Sequence, residues 1–411
     1  MSAGLPSLPA KTTPEYRQLI DRQAISDEIH ERVKEIVGYV SDSGDRAVLD
    51  LTERLDGIRL TTTRVPREEW LAALEGLDGR VREALAEAAR RIQAVHQVQR
   101  FREPSVNVAP GVQVWREWRA FGRVGLYAPG GRTIYPSSVL MMAIPARIAG
   151  CSEIVLCSPP QSDGRVAPSI LAAAAMTGVT EVHAVGGAQA IAALAYGTET
   201  IPRVDKIVGP GNAYVTAAKL RVFGEVSIDM PAGPSEVVVV SDGSVDHEWL
   251  AADLRAQAEH SPDARSILLT TAARDAAAVE GLDTPQVRAF LAESIQAAIA
   301  FANDFAPEHL TLAVRDPERW LPLVHAAGSV FLGPYAPPAA GDYATGANHV
   351  LPTGGTARSF GALGVGTFGR AVQVQRVDEH GVESIRSVTD VLAKIENLPW
   401  HASSVQIRSR S

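Results

Sequence analysis

Ten histidines are spread through the 411 residues, and most histidines in any protein are surface or hydrogen-bonding fillers, so a chemical role needs local support. Four of them have it. Gln257 and His260 close Asp253-Leu-Arg-Ala-Gln-Ala-Glu-His260, and their spacing on an expected helix puts both side chains on one face. A neutral imidazole and an amide oxygen can each ligate zinc or a similar divalent ion; an exposed polar helix end is the plainer alternative. Glu308-His309 follows Phe305-Ala-Pro307, where the proline favours a turn that presents the pair. An adjacent acid and imidazole can act as two separate general bases, because surroundings tune both toward neutral pH. A capping glutamate beside a surface histidine would look the same. Gly341-Asp342-Tyr343 through Asn348-His349 is a polar, glycine-hinged loop of the kind that often carries function. There Asp342 could complete a metal site and His349 could bind a polar or anionic group, although a simple turn built by Gly and Asp fits equally. Glu396 and His401 lie near the C-terminus in Glu396-Asn-Leu-Pro-Trp-His401, whose proline and tryptophan suggest a docked tail.

Several loops could hold a cofactor: Pro129-Gly130-Gly131, Gly186-Gly187-Ala188-Gln189, Gly209-Pro210-Gly211-Asn212 and Gly233-Pro234-Ser235-Glu236. Glycine lets backbone approach a ligand closely, and helix starts favour phosphate. None of these reads Gly-x-Gly-x-x-Gly. Gly364-Val-Gly366-Thr-Phe-Gly369 does so by letter, but it sits late and opens no evident helix.

The elements that must position these groups are legible from periodicity. Across residues 15–99 the pattern is helical, with Val33/Val37/Val40 and Val81/Leu85/Ala88/Ile92 spaced three or four apart and Gly44-Asp45 and Gly79 as punctuation. Residues 101–110 read as a connector. Short apolar runs then recur at 154–157, 182–185, 207–208, 237–240 and 267–270, separated by helical stretches such as 136–149, 168–176, 188–195 and 212–222. Alternation of this kind predicts parallel sheets covered by helices on both faces, and its restart after Asp229 predicts two such units. Helices are expected at 247–259 and 284–301, a last strand at 329–332, and a tail helix at 384–395 ended by Pro399.

Bulk composition agrees. Hydrophobic residues make up 46% and charged residues 21%, as in ordinary globular chains. Lys plus Arg is 39 against 47 for Asp plus Glu, a net charge of −8 that argues against nucleic acid or a membrane surface as partner. Cys151 and Cys157 form no disulfide framework, and no signal segment or membrane-spanning run is visible, so a cytoplasmic enzyme is expected. Buried structural thiols are the reading for both cysteines.

With these segments in hand, the chain resembles the histidinol dehydrogenase family over nearly its whole length, from Gly44-Asp45 to His401. The matching wording includes Gly125-Leu-Tyr-Ala-Pro-Gly-Gly131, Tyr135-Pro-Ser-Ser-Val-Leu-Met141 and Val185-Gly-Gly-Ala-Gln-Ala-Ile191. It continues through Val204-Asp-Lys-Ile-Val-Gly-Pro-Gly-Asn212, Ile228-Asp-Met-Pro-Ala-Gly-Pro-Ser-Glu236, Gln257-Ala-Glu-His260, Ala306-Pro-Glu-His-Leu310 and Gly341-Asp-Tyr through Asn348-His-Val-Leu-Pro-Thr-Gly-Gly355.

The resemblance implies an α/β fold of two Rossmann-like parallel-sheet domains. A helical N-terminal region (1–100) would contribute to the first domain (101–228), which carries NAD-contacting loops. A second domain (229–370) would carry the metal and catalytic residues, and a small helical tail (371–411) would pack on the partner subunit of a homodimer with shared active sites. It implies one zinc per subunit held by Gln257, His260, Asp342 and His401, the last from the partner. Substrate contacts would be Ser235, Gln257, His260, His309, Asp342, His349, Glu396 and His401, and NAD contacts Tyr127, Gln189 and Asn212. Glu308 and His309 would be catalytic. The implied reaction oxidises L-histidinol through histidinaldehyde to L-histidine, in the last steps of histidine biosynthesis. Arg119-Ala120 stands where Arg-Pro is more usual, and Pro338 where a glutamate is common. A relative acting on another small alcohol, such as a sulfonated diol, is the alternative, and a silent paralogue that only binds is a third.

Overall fold

A computed structural model describes residues 5–22, 25–130, 133–280, 282 and 284–409. The chain begins with α1 (Pro14–Ile20), α2 (Asp27–Asp56), α3 (Arg67–Glu75) and α4 (Gly79–Gln97). Thr13, Ser26 and Asp78 cap α1, α2 and α4 by accepting from first-turn N–H groups, which would otherwise lack partners. Strands β1 (Val106–Ala109) and β2 (Val112–Ala120) follow.

Strands and helices then alternate: β3 (Arg123–Tyr127), α5 (Pro136–Ala149), β4 (Glu153–Ser158), α6 (Pro168–Thr177), β5 (Glu181–Ala184), α7 (Gly187–Tyr196), β6 (Lys206–Val208), α8 (Ala213–Val222) and β7 (Ser227–Ile228). The pattern restarts with β8 (Glu236–Ser241), α9 (His247–Ala258), β9 (Arg265–Thr270), β10 (Val287–Leu291), α10 (Ile295–Phe305), β11 (His309–Ala313), α11 (Pro317–Trp320), β12 (Ser329–Leu332) and α12 (Pro338–Tyr343). Last come β13 (Gly369–Val377), α13 (Glu379–Ile395) and α14 (Pro399–Arg408).

Two compact units result, Met1–Gln99 with Phe121–Phe368 and Arg100–Ala120 with Gly369–Ser411. The first contains both expected parallel sheets. Their strand orders are β5-β4-β3-β6-β7 and β10-β9-β8-β11-β12, and all the pairings within them are parallel. In each the order reverses between two central strands, β3/β6 and β8/β11. Such reversals leave a crevice at the carboxyl ends of the strands.

Side-chain alternation explains how the second sheet is covered. Val238, Val240, Leu310 and Leu312 pack with α10 through Ile299, Ala302 and Phe305, and with Tyr16 and Leu19 of α1. Val237 and Val239 pack with Leu250 and Leu254 of α9. Successive strand residues point to opposite faces, so a run of four valines feeds two cores at once. In the first sheet Val155, Cys157 and Ile207 share a core with α2, α7 and α8. No helix among the described residues is long and apolar enough to cross a membrane.

The second unit is an antiparallel sheet, β1-β2-β13, with α13 packed against α14. Here the structure corrects the reading of residues 101–110 as a connector, because Val106–Ala109 is a strand. Its register with β2 is tied by the Gly111 turn, and β2 pairs along its whole length with β13. Two further corrections follow. Within the expected helix 284–301, Val287–Leu291 is a strand on the edge of the second sheet, and the helix starts only at Ile295, capped by Ser294. Pro399 does not merely end the tail: it occupies the first turn of α14, where its missing N–H costs nothing.

Candidate active site

Glu308 and His309 sit where β11 begins. His309 pairs in register with Val237 of β8 and Ser329 of β12, so Glu308 lies beside Glu236 at the amino edge of the second sheet. The turn leading there is tight. Ala306 caps α10 in the left-handed region at φ 51, unusual for a residue with a Cβ, and Pro307 follows.

The backbone of one residue, Glu236, holds both members of the pair. Its N–H donates to Glu308 Oε2 at 2.9 Å. Its carbonyl accepts from His309 Nδ1 at 3.3 Å, which fixes the proton on Nδ1 and leaves Nε2 as the basic nitrogen. Nε2 faces Asp342 Oδ1 at 3.8 Å. Ser235 Oγ donates to the same Glu308 Oε2 at 2.5 Å, so Oε1 is the oxygen left to take a proton. Burial pushes the Glu308 carboxyl up to about 7, and the Ser235 and Glu236 donors oppose that rise. Burial pulls His309 down, and the Asp342 carboxylate opposes this. The result is a neutral imidazole and a carboxyl poised near neutrality, the protonation states that two general bases need.

A second limb reaches the same point. Gln257, buried near the end of α9, donates through Nε2 to Ser235 Oγ at 2.5 Å, which leaves its carbonyl oxygen as the donor atom for a metal. His260 Nδ1 donates to the Ala256 carbonyl at 3.0 Å, leaving Nε2 with a lone pair in the tautomer suited to a cation. Asp342 is carried by α12, and Gly341 is what lets that helix settle. A Cβ at Gly341 would stand 2.7 Å from the Phe331 ring. The amide oxygen, imidazole and carboxylate of Gln257, His260 and Asp342 form a donor set that suits zinc.

His349 donates from Nδ1 to the Asp342 carbonyl at 2.8 Å, so its Nε2 accepts from Ser138 Oγ at 3.1 Å. Ser138 lies in the first turn of α5, so this bond joins α5 to the loop after α12. Asp342 and His260 also lie close enough to act electrostatically on Glu308 and His349. Ser235, Gln257, His260, Glu308, His309, Asp342 and His349 are thus one cluster.

The candidate cofactor contacts gather at the carboxyl edge of the first sheet. Tyr127 ends β3, and its hydroxyl accepts from Gly187 N–H at 3.1 Å at the start of α7. Burial pushes this phenol up to about 12, so it stays protonated. Gln189, buried in the same first turn of α7, donates to Asp56 at 3.3 Å and leaves Oε1 buried without a partner. Asn212 caps α8, its side-chain oxygen accepting from Tyr214 and Val215 N–H at 3.0 and 3.1 Å. Gly209, at φ 129, lets the loop after β6 pass the Tyr127 carbonyl, which a Cβ would meet at 2.2 Å. Two helix starts, a phenol and an orphaned amide oxygen suit a dinucleotide. Gly131 of the loop Pro129-Gly130-Gly131 lies outside the described residues.

Glu396 and His401 belong to the second unit, at the end of α13 and in the first turn of α14, both exposed. The sequence reading gave no role to Glu236, Ser138 or Asp56. Glu236 and Ser138 lie in motifs whose neighbours carry the chemical signal, whereas Asp56 ends a helix with no local mark.

Helix starts at the carboxyl edge of one parallel sheet, with a buried acid–imidazole pair and a set of metal-competent donors at the other, fit an α/β enzyme of the general acid–base type. Residues 20–409 match the family model described as histidinol dehydrogenase. The chain is 43% identical to the histidinol dehydrogenase of Xanthomonas campestris pv. campestris, over 94% of each chain. It is also 43% identical to that of Methanothermobacter thermautotrophicus, over 96% of each. The crystal structure of histidinol dehydrogenase from Elizabethkingia anophelis superposes with a TM-score of 0.94 at 37% identity, covering 100% of this chain and 99% of that one. The chain belongs to the histidinol dehydrogenase family, a family of oxidoreductases.

Proposed function

We propose that this protein oxidises L-histidinol through histidinaldehyde to L-histidine, passing one hydride to NAD in each of two steps. The observation that carries this is the shared seat of Glu308 and His309 on Glu236, which leaves one free basic atom on each, Oε1 and Nε2. When bound, NAD would supply the hydride acceptor, and zinc would hold and orient the substrate imidazole. Gln257, His260 and Asp342 are the residues of the first unit that would hold the metal, with His401 the fourth ligand from the partner. Ser235, His349 and Glu396 would contact the substrate, and Tyr127, Gln189 and Asn212 would contact NAD.

His309 Nε2 takes the alcohol proton, because an alkoxide expels hydride readily and a neutral alcohol does not. Glu308 Oε1 takes a proton from the water as its oxygen adds to the aldehyde, and returns it to the former carbonyl oxygen to give the hydrate. His309, having released the alcohol proton to solvent, then takes a proton from the hydrate at Nε2, and the carbon's remaining hydride leaves as the acid forms. Each step releases one proton and two electrons as hydride, so two NADH form per histidine.

Homodimer formation belongs to the same proposal. Val388, Val391, Leu392, Ile395, Trp400 and Ile407 of α13 and α14 are exposed, Trp400 by 83%. Exposed apolar residues so numerous on two helices suit burial against a second copy, which would bring Glu396 and His401 to the partner's cluster. Two free, buried thiols fit a cytoplasmic setting.

A substrate panel with product analysis tests the assignment. L-Histidinol is expected to yield histidine and two NADH. No turnover of histidinol beside clear turnover of another alcohol, such as a sulfonated diol, would refute it.

A further inference from the structure

Glu236 holds the dyad with its backbone, and something else holds Glu236. Its carboxylate is buried, and Arg22 meets it with Nε 3.2 Å from Oε1 and Nη2 3.3 Å from Oε2. The same guanidinium donates to the Phe305 carbonyl at 2.8 Å and lies over the Phe305 ring, 3.7 Å from its centroid. Phe305 ends α10, immediately before the left-handed Ala306 and the Pro307-Glu308 step. One side chain from the N-terminal segment therefore grips both segments that deliver the dyad, β8 through the Glu236 carboxylate and the α10–β11 turn through the Phe305 carbonyl. A residue with a Cβ holds a left-handed conformation only where its surroundings over-determine it, and the Arg22 fork is one such restraint. Burial lowers the guanidinium to about 10, so it stays charged at neutral pH.

We propose that Arg22 is a positioning residue for the Glu308–His309 dyad, acting through Glu236 and Phe305 and touching no substrate. This rests on the reading of Glu308 and His309 as the proton-moving pair. Arg265 provides an internal control. It also lies over the Phe305 ring, at 5.3 Å, and ties down the same N-terminal segment through the carbonyls of Leu19 and Asp21 at 2.8 and 3.0 Å. Its hydrogen bonds go to those carbonyls, and it reaches Glu236 only through its charge.

Arg22→Met, Arg22→Lys and Arg265→Met are to be compared for urea midpoint, and for kcat and KM in the alcohol and aldehyde half-reactions separately. A dyad displaced by a fraction of an ångström should lose about tenfold or more in kcat in both half-reactions of Arg22→Met, with KM for NAD unchanged. Arg265→Met should lose comparable stability and keep kcat within about twofold. Added guanidinium ion should restore part of the rate of Arg22→Ala, which a merely destabilised protein would not show. Equal kcat losses in Arg22→Met and Arg265→Met at equal stability would overturn the proposal, as would a fall confined to one half-reaction. Should Arg22→Met fail to fold, Arg22→Lys decides. Lysine reaches Glu236 but cannot fork to Phe305, so a loss of about threefold or more in both steps is expected, and an unchanged kcat refutes the role. Full activity in Glu308→Gln and His309→Ala would remove the dyad reading itself. Loss in those two beside wild-type kcat in Arg22→Met would refute the positioning role alone.

Discussion

Replacing Ser235 by alanine removes a hydroxyl that Glu308 and Gln257 share. Ser235 Oγ donates to Glu308 Oε2 and accepts from Gln257 Nε2, each at 2.5 Å. Burial has already raised the Glu308 carboxyl to about 7, and this hydroxyl is the foremost of the groups holding it down. A hydrogen bond to a charged group contributes about 1.5–3 kcal/mol. At about 1.36 kcal/mol per pH unit, losing it raises the carboxyl by about 1–2 units. The hydroxyl stabilises the carboxylate, so its removal favours the protonated acid. A general base is lost as pH falls through its pKa, so the acid limb of aldehyde oxidation should move from about pH 7 to about pH 8–9. Well above that limb the variant's rate should level off, with any remaining deficit set by the lost Ser235 contacts to Gln257 and substrate. Initial rates of NADH formation from histidinaldehyde, measured across the pH range for both proteins, read the shift directly. A uniform fall with the acid limb unmoved would refute the reasoning, because Ser235 would then act on Gln257 or the substrate and not on Glu308.

Three other outcomes follow from the same geometry. His309→Ala should damage both half-reactions, whereas Glu308→Gln should mainly damage aldehyde oxidation; equal losses in both steps for both variants would contradict the division of labour. The side chains of Lys219 and Asp229 are each 1% exposed and pin Gly209 from two sides, Asp229 accepting its N–H at 2.8 Å and Lys219 donating to its carbonyl at 2.9 Å. Lys219→Met strands a buried carboxylate and should cost about 3–5 kcal/mol in urea unfolding, most of it recovered in Lys219→Met/Asp229→Asn. Ile395→Asp with Trp400→Asp should shift the protein to monomers in sedimentation and abolish activity, while far-UV circular dichroism stays unchanged.

Much of the frame was legible because parallel strands buried on both faces read as short unbroken apolar runs. Val237 to Val240 and Ile267 to Thr270 show this plainly. β11 was harder to read: its first residue is a histidine, and its short apolar stretch follows a turn. Val287–Leu291 was lost to helix because Arg288 interrupts it and its pairing partner, β9, is about twenty residues earlier in sequence. The antiparallel sheet stayed hidden since β13 pairs with β2 across some 250 residues, a contact no local pattern reports. Within the site, residue type and spacing pointed to Gln257, His260, Glu308 and His309. The roles of Glu236 and Arg22 depend on where a backbone N–H and carbonyl point, and sequence carries no mark of that.

The two sheets also present opposite edges to chemistry. In the first, the candidate cofactor residues lie at the carboxyl ends of the strands, where α7 and α8 begin. In the second, the dyad and Gln257 lie at the amino ends, where α9 and α10 finish. Only seven residues, 229–235, separate β7 from β8, so these edges are neighbours in the chain. Helix starts carry partial positive charge and helix ends partial negative charge. One wall thus attracts anions and the other cations before any ionised side chain is counted. A cofactor's phosphates and a divalent metal would each be drawn to its own side, and the backbone alone would sort them.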